Sequence, residues 1–283
     1  MNIKNLLYTI LEKIVWLLKM YLGLYPYFIQ EFGLVKGMLV DLLIFIVTAK
    51  VLWALYEFRV NKKLKKRGNK SEKDCANMIR KCFGVEPIQN VLIPIEDIGN
   101  EDLNPTTEID LIAVTTKGIF CFEVKGRINK ITGELYENYW TVGGTQLMNN
   151  PIYQNNGHVK ALRSFLTAAV RRNIYNTVYI DASCELYENN HELLWQERVI
   201  DRMESDELFV IPRKALREDI TKCIDRLPDF YTEQEVEKIT ELLRVYVGDK
   251  KQLKKHVKYL KYSQARAQRQ EEDRERAAQR MLK

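Results

Sequence analysis

Four ionisable side chains sit where an apolar strand should not carry them. The stretch Glu108 to Lys125, EIDLIAVTTKGIFCFEVK, reads as two strands joined by a tight turn. With a two-residue period, Glu108 shares a face with Asp110 and Glu123 shares one with Lys125. The residues between them are almost all apolar, so both strands are expected to be largely buried. If Thr116 and Lys117 form the loop, Asp110 lies opposite Glu123; if Lys117 and Gly118 form it, Asp110 lies opposite Lys125. Either register gathers Asp110, Glu123 and Lys125. Adjacent carboxylates raise one another's pKa unless a cation compensates, and the fitting occupant is a hard, oxygen-seeking ion such as Mg²⁺. A lysine two residues beyond the second acid can orient a water or neutralise a phosphoryl oxygen. The same short pattern also suits a structural salt bridge on an exposed hairpin face.

The order of pieces narrows this choice. Asp110, then Glu123-Val124-Lys125 after an apolar strand, resembles the PD-(D/E)XK nuclease superfamily, and more closely its nuclease-related domain branch. The resemblance covers about residues 71 to 170. It includes Ile109-Asp110, Gly118-Ile119-Phe120, Trp140, and Asn150-Pro151 followed by Gln154, His158 and Leu162. It implies an α/β, restriction-endonuclease-like α-β-β-β-α-β core with a mixed sheet. It further implies a Mg²⁺-dependent (or Mn²⁺-dependent) phosphodiester hydrolase, with DNA the first choice of substrate and a setting in DNA processing or bacterial anti-phage defence. Carried over residue by residue, Asp110 and Glu123 would ligate metal, the Val124 carbonyl would add an oxygen, and Lys125 would position the attacking water. Glu72 would assist the metal site, Gln154 would line it and His158 would sit near it. Glu72 read by itself is an acid favouring a helix N-terminus, and His158 a helix-face histidine.

These residues need elements to hold them. Ser71 followed by Asp74 is a capping signal for a short helix with Ala76, Ile79 and Phe83 inward, stopping at Gly84. Val91 to Ile95 reads as a strand and Glu96 to Thr107 as a polar loop. Ile131 to Val142 suggests further strands, with Tyr139 and Trp140 as packing residues. From Pro151 to Arg172 a helix puts Gln154 and His158 on one face. Val178 to Cys184 and Leu208 to Pro212 read as strands completing the sheet edge. Thr232 with Glu235 makes a capping box for a helix that Gly248 ends. Lysines 250, 251, 254, 255, 258 and 261 follow on a long helix suited to nucleic acid, anionic lipid or a partner helix. Arg127 and Lys130 put cationic groups beside the proposed site.

The N-terminal part differs. Ile3 to Tyr25 carries an amphipathic stripe ending near Pro26, and Leu34 to Tyr56 is long enough to cross a bilayer, although Lys36, Asp41 and Lys50 interrupt it. Between Phe58 and Ser71 come seven basic residues and no acid, the juxtamembrane pattern of a cytoplasmic face. The expected organisation is hydrophobic helices over 1–57 as a membrane anchor, a basic linker over 58–70, a nuclease domain over 71–230 and a charged helical extension over 231–283. The nuclease domain is then expected on the cytoplasmic side of the cell membrane, or in the cytoplasm if the helices are a soluble hairpin.

Composition bounds the remaining classes. The chain has 283 residues, 46% of them hydrophobic, enough for a medium domain with extensions. A net charge of +6 suits an anionic partner. Five cysteines without a C-x-x-C pair argue against a disulfide framework or zinc ribbon and place the domain in a reducing compartment. With three histidines and none at ligand spacing from another, zinc chemistry and a Ser-His-Asp triad lack support. Two other classes remain: a nuclease-fold binding or sensor module without turnover, and a membrane-tethered assembly protein whose terminal helices recruit a protein partner or a second copy.

Overall fold

The computed structural model describes residues 3–96, 105–127, 129–167, 173–189, 191–193, 199–202 and 207–281, with the backbone alone for 3–41 and a few other positions. The chain divides into two units, residues 1–63 and 64–283.

Helix α1 (Ile3–Cys82) is continuous where a break near Pro26 and a linker over 58–70 were expected. Proline removes one helical hydrogen bond, at a cost of about 3 kcal/mol, and the long helical runs on both sides carry through it. Ser71 therefore caps nothing; the lysines and arginines before it are good helix formers and extend the helix. Among the described residues no helix is long and apolar enough to cross a membrane, so the span expected over Leu34 to Tyr56 gains no support. The described side chains of this unit leave Leu42, Phe45, Trp53, Tyr56 and Phe58 exposed.

In the second unit, the last turns of α1 lead to β1 (Ile88–Pro94), β2 (Thr106–Thr115) and β3 (Gly118–Gly126). A meander of β4 (Ile131–Glu134), β5 (Tyr139–Val142) and β6 (Gln146–Asn149) precedes α2 (Pro151–Phe165) and β7 (Ile174–Asp181). Then come β8 (Cys184–Glu188), β9 (His191–Leu193), β10 (Ile200–Arg202) and β11 (Leu208–Pro212). Helices α3 (Arg217–Asp225), α4 (Glu233–Arg244) and α5 (Lys250–Met281) close the chain. Omitting the meander, the run from α1 to β7 is α-β-β-β-α-β, consistent with the nuclease fold expected.

Among the described residues the strands form two sheets, not one. The first has the order β1-β2-β3-β7-β11-β10 and the second β6-β5-β4-β8-β9. The parallel pair β3 and β7 continues, after a short link in each chain segment, as the parallel pair β4 and β8. Leu208 to Pro212 is an interior strand rather than the sheet edge: it lies parallel to β7, with β10 outside it, and all five residues are buried. A continuous apolar run is what such a doubly covered position requires.

Alternation along β3 builds the two sides of the first sheet. Ile119 and Cys121 pack with Val159 and Leu162 of α2 and Ile239 and Leu243 of α4. Phe120 and Phe122 pack with Cys75, Ala76 and Ile79 of α1 and Ile220 and Ile224 of α3. Glu123 and Lys125 continue the parity of Cys121 and so face α2. Trp140 is buried in the second sheet, as a packing residue should be, and its ring nitrogen donates to the Glu134 carbonyl at 2.8 Å, whereas Tyr139 is exposed.

Candidate active site

The β2–β3 turn sets the geometry. Thr115 pairs with Gly118, leaving Thr116 and Lys117 as the loop, so the register that places Asp110 opposite Glu123 is the one adopted. Thr115 reinforces it: its hydroxyl donates to the Gly118 carbonyl and accepts the Lys117 N–H, both at 3.1 Å. Gly118 has φ +143°, and a Cβ there would stand 2.5 Å from the Tyr175 ring and 2.6 Å from the Asn173 carbonyl, so only glycine fits.

Regular pairing stops at the acid. The β2–β3 ladder runs from Thr115 to Leu111, and the Asp110 carboxylate accepts the Val124 N–H at 2.8 Å in place of a ladder carbonyl. On the other neighbour, Asn90 of β1 stands across from Asp110 between the pairs Gln89–Leu111 and Val91–Ile109, and it has φ +53°. The alternation slips there: Ile109 joins the cluster of Ile112, not that of Leu111. The irregularity in both strands thus falls at the acid itself, the kind of local break in a ladder that re-aims a side chain beside a site.

Glu123 is only 4% exposed and is gripped from both ends. Lys125 Nζ donates to its Oε1 at 2.6 Å and to Gln154 Oε1 at 2.8 Å. His158 Nε2 lies 3.3 Å from Oε2, and His158 Nδ1 lies 2.7 Å from the Thr107 hydroxyl. Because a carboxylate only accepts, Nε2 is the donor toward Glu123, and the Thr107 hydroxyl holds the ring at its other nitrogen. The ion pair is therefore not on an exposed hairpin face; the Lys125 side chain is 15% exposed.

Helix α2 is aimed by its own sequence. Asn150 caps it by accepting the Ile152 N–H at 2.9 Å, and donates to the Leu135 and Glu137 carbonyls at 2.9 and 2.7 Å; Pro151 opens the first turn. Asn155, fully buried, donates to the Cys121 carbonyl at 2.7 Å and to Asn176 Oδ1 at 2.8 Å, and Asn176 donates to the Ile152 carbonyl at 2.8 Å. This bond set fixes the turn that bears Gln154 and His158 against β3. The helix stops at Phe165 rather than Arg172, the second of which lies outside the described residues.

Helix α1 brings Glu72 from the other side. Its neighbour Ser71 is buried and donates to Asp181 Oδ2 at 2.6 Å. Asp181, at the end of β7, has no exposed surface, accepts Arg67 Nη2 on its carbonyl at 2.9 Å, and pairs with Arg67 at 3.2 Å and Arg213 at 2.9 Å. Gly126, paired with Asp181 in the β3–β7 ladder, permits the approach: a Cβ there would collide with the Ser71 hydroxyl and lie 2.9 Å from Ser71 Cβ. The sequence reading missed this cluster. Its four polar members, Arg67, Ser71, Asp181 and Arg213, lie on α1, on β7 and in the segment after β11, and no local pattern joins them. It also missed His256 of α5, 4% exposed, whose Nδ1 is 2.9 Å from Thr106 Oγ1 and Nε2 3.8 Å from Glu108 Oε2.

The electrostatics match this crowding. Burial, then the Glu123 charge and more weakly Glu72, hold Asp110 well above the usual carboxylate range, against the Val124 N–H and Lys125. Burial would raise Glu123 as well, but the His158 hydrogen bond and Lys125 outweigh it and its pKa is lowered. Glu108 is raised by burial, then by Glu72, and Glu72 by burial. Four carboxylates thus share one region with a single lysine. Among the described residues no three His, Cys, Asp or Glu side chains form a ready-made metal cage, since both Glu123 oxygens are engaged. The donor set nevertheless fits a hard divalent cation: it is all oxygen and carries negative charge that burial leaves undercompensated. Arg127 and Lys130 were expected to flank this site; Lys130 instead pairs with Glu185 of the second sheet.

Comparison with known proteins bears on residues that include this site. Residues 67–181 match the family model of the nuclease-related domain. An uncharacterized protein of Bacillus anthracis is 29% identical over 160 residues, which are 55% of this chain and 67% of that protein. No solved structure matches the chain. The stretch from Arg67 of α1 to Asp181 at the end of β7 is therefore similar to the nuclease-related domain, a PD-(D/E)XK-like nuclease domain.

Proposed function

We propose that this domain hydrolyses phosphodiester bonds with the aid of a divalent cation, Mg²⁺ or Mn²⁺, and that DNA is its substrate. The observation that carries the proposal is the pair Asp110 and Glu123, two carboxylates side by side where the β2–β3 ladder ends, with Lys125 Nζ 2.6 Å from one of them. A buried ion pair is a poor stabiliser, because desolvation offsets most of its attraction; its presence beside a third and fourth acid calls for a chemical reason.

Asp110 and Glu123, with the Val124 carbonyl, would hold the cation. When bound, it would supply Lewis-acid polarisation of the phosphodiester and a lower pKa for the attacking water. Lys125, steadied by Gln154, places an ammonium where negative charge develops on the phosphorus oxygens and where a water can be oriented. His158, pinned by Thr107, keeps Glu123 from turning away. Glu72 adds a carboxylate from α1 that can accept a proton or orient the water.

Cleavage of a labelled DNA duplex by the full chain tests this, comparing wild type with Asp110→Ala, Glu123→Ala and Lys125→Ala in Mg²⁺, Mn²⁺ or EDTA. Each variant is expected to lose roughly 10²-fold or more in rate, and four proteins that cut equally would remove the site assignment. Wild-type protein that binds DNA without cutting it would favour a sensor module. By fold-level analogy the setting is DNA processing or anti-phage defence, which phage plating on cells carrying wild type or Glu123→Ala would read. The apolar side chains exposed between 42 and 58 support attachment of residues 1–57 to a membrane surface, with the nuclease domain on its cytoplasmic side; fractionation of cells expressing the chain with and without 1–57 tests that.

A further inference from the structure

The candidate site is acidic, and a polyanionic substrate would be repelled by Glu72, Glu108, Asp110 and Glu123 unless cations outside the site hold it. Two helices supply such cations, and both reach the same carboxylates. Helix α1 contributes Glu72, and Lys65 lies seven residues earlier on the same line of that helix, about 10 Å away. Lys66 and Lys70 lie about 120° and about 160° round the helix from Glu72, both exposed on its outer side. Helix α5 is seated at the other side by His256, against Thr106 and Glu108, and by buried Tyr259 one turn on. Gly248 N–H donates to the Asn90 carbonyl at 2.9 Å, which fixes the start of α5 on the edge of β1.

With Leu253, His256 and Tyr259 turned inward, Lys254 and Lys258 fall on the opposite face of α5 and Lys255 at its flank. Lys255 lines a groove of about 330 Å³ with Thr106 and His256, which brings the lysine row to within two residues of Glu108 along β2. The six lysines 65, 66, 70, 254, 255 and 258 are exposed, and among the described residues none has a carboxylate partner. Lysines elsewhere do pair: Lys117 with Asp229, Lys130 with Glu185.

We propose that the lysine rows of α1 and α5 form a two-sided clamp for a nucleic-acid backbone that crosses the carboxylate site. The proposal rests on the nuclease reading of that site but adds a surface to it: α5 lies outside the matched residues 67–181, so half of the clamp is supplied by the chain's own C-terminal helix. Lysines at this spacing act as point charges on phosphates and do not read bases, so binding is insensitive to sequence and strongly dependent on salt.

The test uses the full chain and a fluorescein-labelled DNA duplex, with binding followed by anisotropy in EDTA over a range of salt. Three variants are compared with wild type: Lys65→Gln/Lys66→Gln/Lys70→Gln, Lys254→Gln/Lys255→Gln/Lys258→Gln, and a control with Lys214, Lys222 and Lys238 changed to Gln. Each phosphate contact contributes about 0.9 to the slope of log affinity against log salt, so each clamp variant should lower the slope by roughly 2 to 3. Each should also weaken binding at low salt by at least about tenfold, while the control matches wild type. If either clamp variant behaves like the control, the clamp is overturned. It is also overturned if they lose binding to phosphatidylserine vesicles but keep DNA. Wild type that binds through the lysines yet never cuts in Mg²⁺ would sink the nuclease reading and leave the clamp standing; wild type that cuts while both lysine variants bind normally would do the reverse.

Discussion

Removing Lys125 and Glu123 one at a time and together separates a pair kept for chemistry from a pair kept for stability. Lys125→Met leaves a Glu123 carboxylate that is almost fully enclosed without its closest cation, which stood at 2.6 Å. Breaking a buried pair from one side costs about 3 to 5 kcal/mol. His158, at 3.3 Å from the other oxygen, remains and lowers that to about 2 to 4 kcal/mol. For a unit of this size each kcal/mol moves Tm by roughly 2 to 4 °C, so the variant should melt about 5 to 15 °C lower. Glu123→Gln costs less, because the ammonium keeps Gln154 and has Asp110 nearby. The double variant Glu123→Gln/Lys125→Met removes both charges with little change in volume, and is expected within about 1 kcal/mol of wild type or above it. All three should be inactive on a DNA duplex in Mg²⁺. Thermal and urea unfolding of the metal-free protein, beside the cleavage assay, read both quantities. A double variant as unstable as Lys125→Met would show that the pair is a structural salt bridge, and a Lys125→Met protein of wild-type stability would refute the enclosed, charged Glu123 on which the reasoning depends.

Other expectations follow from the same contacts. Asp181→Ala removes the anion that Ser71, Arg67 and Arg213 share; since both arginines are partly exposed and recover water, the loss should be about 3 kcal/mol in urea unfolding with an unchanged m-value. Gly126→Ala drives a methyl group into Ser71 and should cost about 1 to 3 kcal/mol, part of it recovered in the Ser71→Gly background. Thr232→Ala breaks the capping box of α4, in which Glu235 N–H donates to the threonine hydroxyl at 3.3 Å, and should cost about 1 kcal/mol. Asp110 also gives stability a pH dependence. Its folded pKa is raised, so between the unfolded carboxylate value of about 3.9 and the folded one the native state binds more protons than the unfolded state, and metal-free stability falls as pH rises through that window. Asp110→Asn, which can still accept the Val124 N–H, should flatten this part of a stability–pH curve; an unchanged slope would place the titration elsewhere.

Much of the site was legible in local patterns. The acids and lysine of EIDLIAVTTKGIFCFEVK stand out because period-two alternation makes any charge in a buried strand conspicuous, and Asn150-Pro151 and Thr232 with Glu235 announce helix starts by capping chemistry that acts over three or four residues. What the alternation left open was register, since Thr116-Lys117 and Lys117-Gly118 are both acceptable loops; Gly118 was decided by Tyr175 and Asn173, more than fifty residues away in the chain. Helix α1 was misjudged for a related reason. Pro26 and the basic run look like boundaries by composition, but helical hydrogen bonding is cooperative and a single lost bond does not end it.

By itself, the sequence determined which residues could do the chemistry, because type and spacing along two strands joined by a tight turn suffice to put Asp110, Glu123 and Lys125 within reach of one another in either register. Only the tertiary structure decided what holds and surrounds them: the interrupted pairing at Asn90 and Asp110, the Thr107–His158 grip on Glu123, the Ser71–Asp181 lock that carries Glu72 in on α1, and His256 of α5 against Glu108. Each of these joins groups from different elements, and their partners are selected by packing two sides of a sheet against helices, which no local pattern encodes.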